Sequence, residues 1–195
     1  MTTPNPKEVS GRHAADLVKS GMTVGLGTGS TVFFALQRLA ERVRDEALEI
    51  RGVPTSLDTE QKATEMGIPL ISLDEATSLD LTIDGADEVD PDFQMIKGGG
   101  GALLREKVVA SITVKQVIIV GRNKVVERLG LAFLLPVEFV PFAASTVRRA
   151  LQALGCEPML REQDGQPFVT DNGNRIFDCR FPEGIAVPRE LDRSI

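Results

Sequence analysis

Short apolar runs alternate with helical stripes along the first two-thirds of this chain, and that alternation constrains the fold more than any other feature. Met22–Gly27 is an apolar run closing on glycines; Thr31–Ala47 then carries Phe34, Leu36, Leu39, Ala40 and Val43 at helical spacing. The change of period recurs. A helix over 6–19 opens the chain, and the run Leu48–Pro54 precedes a polar helix over Leu57–Met66. Ile68–Leu73 and Leu79–Ile83 read as further strands, Ala102–Ile112 as a helix, and Gln116–Val120 as an uninterrupted apolar strand. Strands separated by helices return parallel to one another, so the pattern predicts a doubly wound, mostly parallel (Rossmann-like) α/β sheet.

From about residue 130 the pattern changes. Phe133–Val140 reads as a strand, Ala143–Leu154 as a helix ending at Gly155, and Cys156–Arg161 as a second strand. A third, Phe168–Cys179, is broken by Asp171-Asn172-Gly173-Asn174, and the tail from Glu183 to Ile195 begins another helix. Strand, helix, strand, strand is the opening of a smaller α+β unit of ferredoxin-like, split βαβ type. The expected division is an α/β catalytic domain over 1–130 and a small domain over 131–195.

Composition narrows the function. A net charge of −6 with no basic stripe leaves no electrostatic footprint for nucleic acid. No stretch approaches membrane-spanning length and Met1–Pro6 is not an apolar leader, so a cytoplasmic protein without a membrane partner is expected. His13 is the sole histidine, and Cys156 and Cys179 are the two cysteines. Ser-His-Asp and Cys-His mechanisms are therefore hard to build, and a zinc cluster is not expected. Carboxylates alone can still hold Mg²⁺.

Three motifs carry chemistry. In Val24-Gly25-Leu26-Gly27-Thr28-Gly29-Ser30-Thr31 a strand turns into a helix through spaced glycines, and its N–H groups and hydroxyls suit a phosphate at the helix N-terminus. Ser30 stands where a dinucleotide fingerprint needs its third glycine, and the Walker lysine is missing, so a small phosphorylated molecule fits better than a nucleotide. A capped turn without ligand is the competing reading. Asp84-Gly85-Ala86-Asp87-Glu88 follows the apolar run Leu79–Ile83, where ligands of open α/β sheets bind, and its two aspartates suit sugar hydroxyls. Asp90 and Asp92 read as a solvated acidic turn. Lys97-Gly98-Gly99-Gly100-Gly101 exposes bare backbone ahead of a helix carrying Glu106. Taken alone, Glu106 between Arg105 and Lys107 is also compatible with a surface charge. Neighbours on a helix point about 100° apart, however, so it can face inward while they do not. A carboxylate near an oxyanion nest is the equipment for proton abstraction next to a carbonyl.

Together these motifs resemble ribose-5-phosphate isomerase, type A, and Pro136-Val137-Glu138-Phe139-Val140-Pro141 and Val169-Thr170-Asp171-Asn172-Gly173-Asn174 match as well. The resemblance runs through nearly the whole chain in order. It implies interconversion of ribose 5-phosphate and ribulose 5-phosphate, in the non-oxidative pentose phosphate pathway, without metal or organic cofactor. By matching position, Glu106 is the base that moves a proton between C1 and C2 through a cis-enediolate. Asp84, Asp87 and Lys97 bind hydroxyls, assist ring opening and move the hydroxyl proton. Thr28, Gly29, Ser30 and Thr31 line the substrate site with Gly85 and Ala86; Gly98, Gly99 and Gly100 supply backbone donors to the enediolate; and Lys124 is a further substrate-binding lysine. Lys7 either reaches the phosphate or is simply solvated. The resemblance also implies a homo-oligomer, a dimer or tetramer.

Family members continue past this point with a further strand and a return to the large sheet, whereas this chain ends at Leu191-Asp192-Arg193-Ser194-Ile195. The small domain is expected to lack its last strand and that return. A sugar-phosphate sensor on the same fold is the main alternative, and it need not retain Glu106, Asp84, Asp87 and Lys97 together. A nucleotide-binding dehydrogenase domain is disfavoured by the failed fingerprint, and a CoA-transferase relative would use its glutamate as nucleophile.

Overall fold

A computed structural model describes residues 5–195. Residues 1–4, on which part of the leader reading rests, lie outside the described residues. The helices are α1 (Pro6–Asp16), α2 (Val32–Asp45), α3 (Leu57–Glu65), α4 (Leu103–Ser111), α5 (Ala144–Ala153) and α6 (Pro188–Ser194). The strands are β1 (Thr23–Leu26), β2 (Arg51–Pro54), β3 (Leu79–Asp84), β4 (Glu88–Val89), β5 (Met95–Ile96), β6 (Thr113–Ile118), β7 (Leu135–Phe139), β8 (Glu157–Leu160), β9 (Glu162–Gln163), β10 (Gln166–Pro167) and β11 (Arg175–Arg180). The chain divides into two compact units. One runs to Gly85 and includes Leu104–Gly121; the other comprises Ala86–Leu103 and Arg122–Ile195.

The first unit is built on a parallel sheet in the order β2-β1-β3-β6. All four residues of β1 are buried, which is why its sequence is a continuous apolar run rather than an alternation. Val24, Leu26, Leu81 and Ile83 pack with Ala14, Ala15, Leu36 and Leu39 of α1 and α2. Thr82, between Leu81 and Ile83, points to the opposite face. There its hydroxyl meets that of Thr113 at 2.7 Å, and Thr113 donates to the Val109 carbonyl of α4. Helices thus cover both faces, as the alternation predicts. Gly11 brings α1 against α2: a Cβ there would lie 2.8 Å from both the Phe34 Cβ and the Thr31 carbonyl. Arg12 forks onto Glu41 at 2.9 and 2.7 Å, and Arg42 donates to the Ala15 and Val18 carbonyls at the end of α1. Arg12 and Glu41 are each over a third exposed, so solvent screens the pair and it adds little to stability. Burying Leu36 and Leu39 contributes roughly 1.5–3 kcal/mol each and dominates.

Two strand boundaries differ from the sequence reading. Ile68–Leu73 forms only a bridge from Leu70 to Gly52, because Pro69 has no N–H to donate and the capping box of Ser72 with Glu75 starts a short helical turn. The last parallel strand begins at Thr113 rather than Gln116, its register set by pairing from Leu79↔Thr113 to Asp84↔Ile118.

In the second unit β7 and β8 both pair antiparallel with β11, giving the order β7-β11-β8. With α5 connecting β7 to β8, this is the split βαβ arrangement. Val137, Phe139, Leu151, Phe177 and Cys179 form its core, and the Phe139 and Phe177 rings stack at 4.2 Å. Burial pushes the Cys156 and Cys179 thiols up. The third strand starts only at Arg175, since Thr170–Asn174 closes as a turn with Gly173 at positive φ. The β4–β5 hairpin was not anticipated. Asp90 organises its turn by accepting from the Asp92 and Gln94 N–H groups, while Glu88, 2% exposed, accepts from Gly130 and Ala132 at 2.7 and 3.2 Å.

Candidate active site

Each unit carries its own group of the residues singled out above. In the first, Thr28, Gly29, Ser30 and Thr31 lie on the turn from β1 to α2, Asp84 ends β3 with Gly85 after it, and Glu106 sits on α4. Asp84 is fully buried, and its Oδ1 accepts from the Thr28 N–H at 3.2 Å and the Gly85 N–H at 2.8 Å. The strand end and the glycine turn are therefore tied through one carboxylate oxygen. Gly27 has no alternative here, since a Cβ would run into that carboxylate.

The hydroxyls of the turn divide their work. Thr28 Oγ1 lies 2.9 Å from Thr55 Oγ1, donates to Ser56 Oγ at 2.8 Å, and is 3.2 Å from Thr59 Oγ1. Thr55 and Thr59 in turn donate to the Leu26 and Gly27 carbonyls. Thr55, Ser56 and Thr59 are buried, so this cluster satisfies hydroxyls and carbonyls that burial would otherwise penalise, and it fixes the turn. Ser30 is exposed instead and accepts from Lys7 Nζ at 2.9 Å. Lys7, Ser30, Gly29, Phe33, Phe34 and Lys62 line a cavity of about 540 Å³. The Lys7 ammonium and a serine hydroxyl at the start of α2 suit a dianionic phosphate, while the Lys62 ammonium is held by Asp58 at 2.6 Å.

Glu106 is 6% exposed in the first turn of α4, whereas Lys107 beside it is exposed. Helical rotation has turned this carboxylate inward, and the helix N-terminus favours its negative charge.

In the second unit Ala86 and Asp87 precede β4, and Lys97 leads from β5 into the glycine run. Asp87 Oδ2 accepts from the Gly99 N–H at 2.7 Å, and its own N–H donates to the Ile96 carbonyl. Gly98 and Gly101 have φ of +103° and +82°, in the region that favours glycine. The Gly101 N–H closes a turn on the Gly98 carbonyl, while Gly99 and Gly100 face solvent. Lys124 lies in a short helical turn with its Nζ 5.3 Å above the Phe133 ring, and that ring would be 2.9 Å from a Cβ on Gly99. Asp87, Gly99, Phe133 and Lys124 thus form one group.

Two sets of residues that shape these groups lie outside the motifs read from the sequence, Thr55-Ser56 with Thr59 and the pair Arg161–Asp178, and Glu88, inside one motif, carries no expected role. Ser56 and Thr59 had a visible signal, a serine three residues before its partner at a helix start, where Ser56 Oγ caps the Thr59 N–H at 3.0 Å. Arg161 and Asp178 had none, because strand pairing joins them.

Comparisons with known proteins place the chain in a family. The family model for ribose 5-phosphate isomerase A (phosphoriboisomerase A) matches residues 51–195. Ribose-5-phosphate isomerase A of Bacillus mycoides is 52% identical over 186 residues, spanning 95% of this chain and 83% of that protein. The solved ribose 5-phosphate isomerase A of Methanocaldococcus jannaschii superposes with a TM-score of 0.92 at 39% identity, over 96% of this chain and 84% of its own. A D-ribose-5-phosphate isomerase solved with phospho-erythronic acid gives 0.93 at 34% identity, over 99% of this chain and 85% of its own. The glycine turn, the buried Asp84 and Glu106, and the glycine run lie on a chain that belongs to the ribose 5-phosphate isomerase A family.

Proposed function

We propose that this chain interconverts ribose 5-phosphate and ribulose 5-phosphate by proton transfer through a cis-enediolate. One observation carries the reading: in a chain of this family, Glu106 is a carboxylate turned inward at the start of a helix, while Lys107 beside it stays exposed and Arg105 is half-buried. A buried charge is costly unless its setting uses it, and a sensor has no use for a base.

In the forward reaction Lys7 and Ser30 hold the phosphate, and Asp84, Asp87 and Lys97 hold hydroxyls and assist opening of the sugar ring. The Glu106 carboxylate takes the proton from C2 of the open aldose. The electron pair left behind forms the C1–C2 double bond, and the carbonyl pair moves onto O1. The glycine run donates N–H groups to the developing oxyanion, and Lys124 adds a cation to substrate binding. Glu106 then returns its proton to C1 while the O2 proton is transferred to O1, giving the ketose. The step conserves protons and electrons and calls for no redox partner. The same reading places the enzyme in the cytoplasm as a homo-oligomer, without nucleic-acid or membrane partners.

The test is turnover of ribose 5-phosphate in excess EDTA, followed as ribulose 5-phosphate by absorbance. The native chain is expected to turn over, and Glu106→Gln to lose about 10²–10⁴ in kcat. Phospho-erythronic acid, with a carboxylate where the enediolate oxygens develop, is expected to inhibit competitively. Saturable binding of ribose 5-phosphate without turnover would replace the isomerase by a sensor.

A further inference from the structure

Arg161, immediately after β8, is held on two sides. Its Nε and Nη2 donate to the two carboxylate oxygens of Asp178 on β11, at 2.9 and 2.5 Å. Its remaining nitrogen, Nη1, donates to the Gly98 carbonyl at 2.9 Å and the Gly99 carbonyl at 3.2 Å. The guanidinium also faces the Phe168 ring at 5.8 Å, and that ring lies 2.5 Å from where a Cβ on Gly101 would be. Only 14% of the Arg161 side chain and 20% of the Asp178 side chain are exposed, so the pair is not an incidental surface contact.

Two consecutive carbonyls converging on one nitrogen fix two consecutive peptide planes. In a trans peptide the N–H points opposite to the C=O, and no cis peptide occurs among the described residues. The N–H groups of Gly99 and Gly100 are therefore turned away from Arg161. The first donates to Asp87 at 2.7 Å, and the second donates to no described residue. A cationic donor on a carbonyl also polarises that peptide and strengthens its N–H as a donor. Glycine at these positions leaves the backbone free to rotate, so the orientation has to come from outside the run.

We infer that Arg161 is a positioning residue for the isomerisation: clamped by Asp178, it orients and polarises the Gly98–Gly100 peptides so that their N–H groups serve Asp87 and the developing oxyanion. This rests on the isomerase reading above and adds to it the residues that hold the glycine run in working order. The planar fork is needed, because a lysine at this position reaches one partner at a time.

The test is a kcat-against-KM comparison in the full chain. Arg161→Met alone strands the Asp178 charge, so the decisive variant is the double substitution Arg161→Met with Asp178→Leu, which removes the pair together. The double variant is expected to fold, to keep its KM for ribose 5-phosphate within about twofold, and to lose about 10- to 100-fold in kcat, less than deletion of an oxyanion donor. Arg161→Lys is expected not to restore kcat. A purely structural pair would lower the melting temperature and leave kcat per folded molecule unchanged. Turnover by the native chain with kcat retained in the folded double variant overturns the inference and leaves the isomerase intact; a native chain without turnover overturns both.

Discussion

Gly27→Ala is the sharpest structural test of how this chain builds its acidic strand end. The backbone at Gly27 does not require glycine on conformational grounds; its positive-φ neighbour is Gly29. What forbids a side chain is β3. A Cβ on Gly27 would lie 2.6 Å from the Ile83 carbonyl and 2.5 Å from the Asp84 Cγ, with Oδ1 nearer still. Neither can step aside: the carbonyl accepts the Gly27 N–H at 2.9 Å, and the carboxylate is fully buried and held by two backbone donors. Overpacking costs about 1–3 kcal/mol, and giving up a hydrogen bond to a charged group about 1.5–3 kcal/mol. Loss of glycine entropy from the unfolded chain offsets about 0.4–1 kcal/mol. The net is about 3 kcal/mol, a fall in melting temperature on the order of 10 °C for a chain of this size. Urea and thermal unfolding measure it, with Gly29→Ala as reference. That site has open space and φ of +125°, so it registers backbone strain of about 1–3 kcal/mol without a clash. Turnover should fall in Gly27→Ala because Asp84 is displaced. An unfolding free energy within about 0.5 kcal/mol of the parent would refute the argument, since it would mean β1 and β3 separate at almost no cost.

Lys7→Met is expected to lower kcat/KM for ribose 5-phosphate about tenfold or more, mainly through KM, because it removes one phosphate cation without touching the acid–base groups; steady-state kinetics decide. The forked Arg12 guanidinium holds the Glu41 carboxyl below the usual carboxylate range. Its contribution to stability is present above the ordinary carboxylate pKa and is lost as pH falls through the lowered folded value, so Arg12→Met should cost stability at neutral pH and progressively less in acid, read by urea unfolding across that range. With their thiols pushed up by burial, Cys156 and Cys179 should resist a thiol-disulfide reagent at pH 8 and react on unfolding; prompt reaction of the native protein would contradict the packing of the β7-β11-β8 core.

What could be read from the chain in advance was whatever depends on near neighbours. The alternation of periods announced the parallel sheet with its helices, because each element must bury one face and the spacing of apolar residues records which. The glycine turn and the aspartates at the end of β3 were legible for the same reason, since a turn and a strand end are set within a few residues; helix rotation allowed Glu106 an inward position, and burial in the fold decided it. Other features depended on residues far apart in the chain. Nothing near Gly25 or Gly27 says that Thr82 and Asp84 will occupy the space a Cβ would need; parallel pairing decides that. Nothing near Thr28 says that its hydroxyl will sit among those of Thr55, Ser56 and Thr59. Ala86–Leu103 groups with Arg122–Ile195 rather than with its immediate flanks, because Ile96 finds its apolar partners in Leu129 and Ile185. Arg161 meets the glycine run 62 and 63 residues away through hydrogen bonds that leave no trace in local spacing. Periodicity encodes which face is buried; the identity of the atoms waiting on the other side is a property of the folded chain.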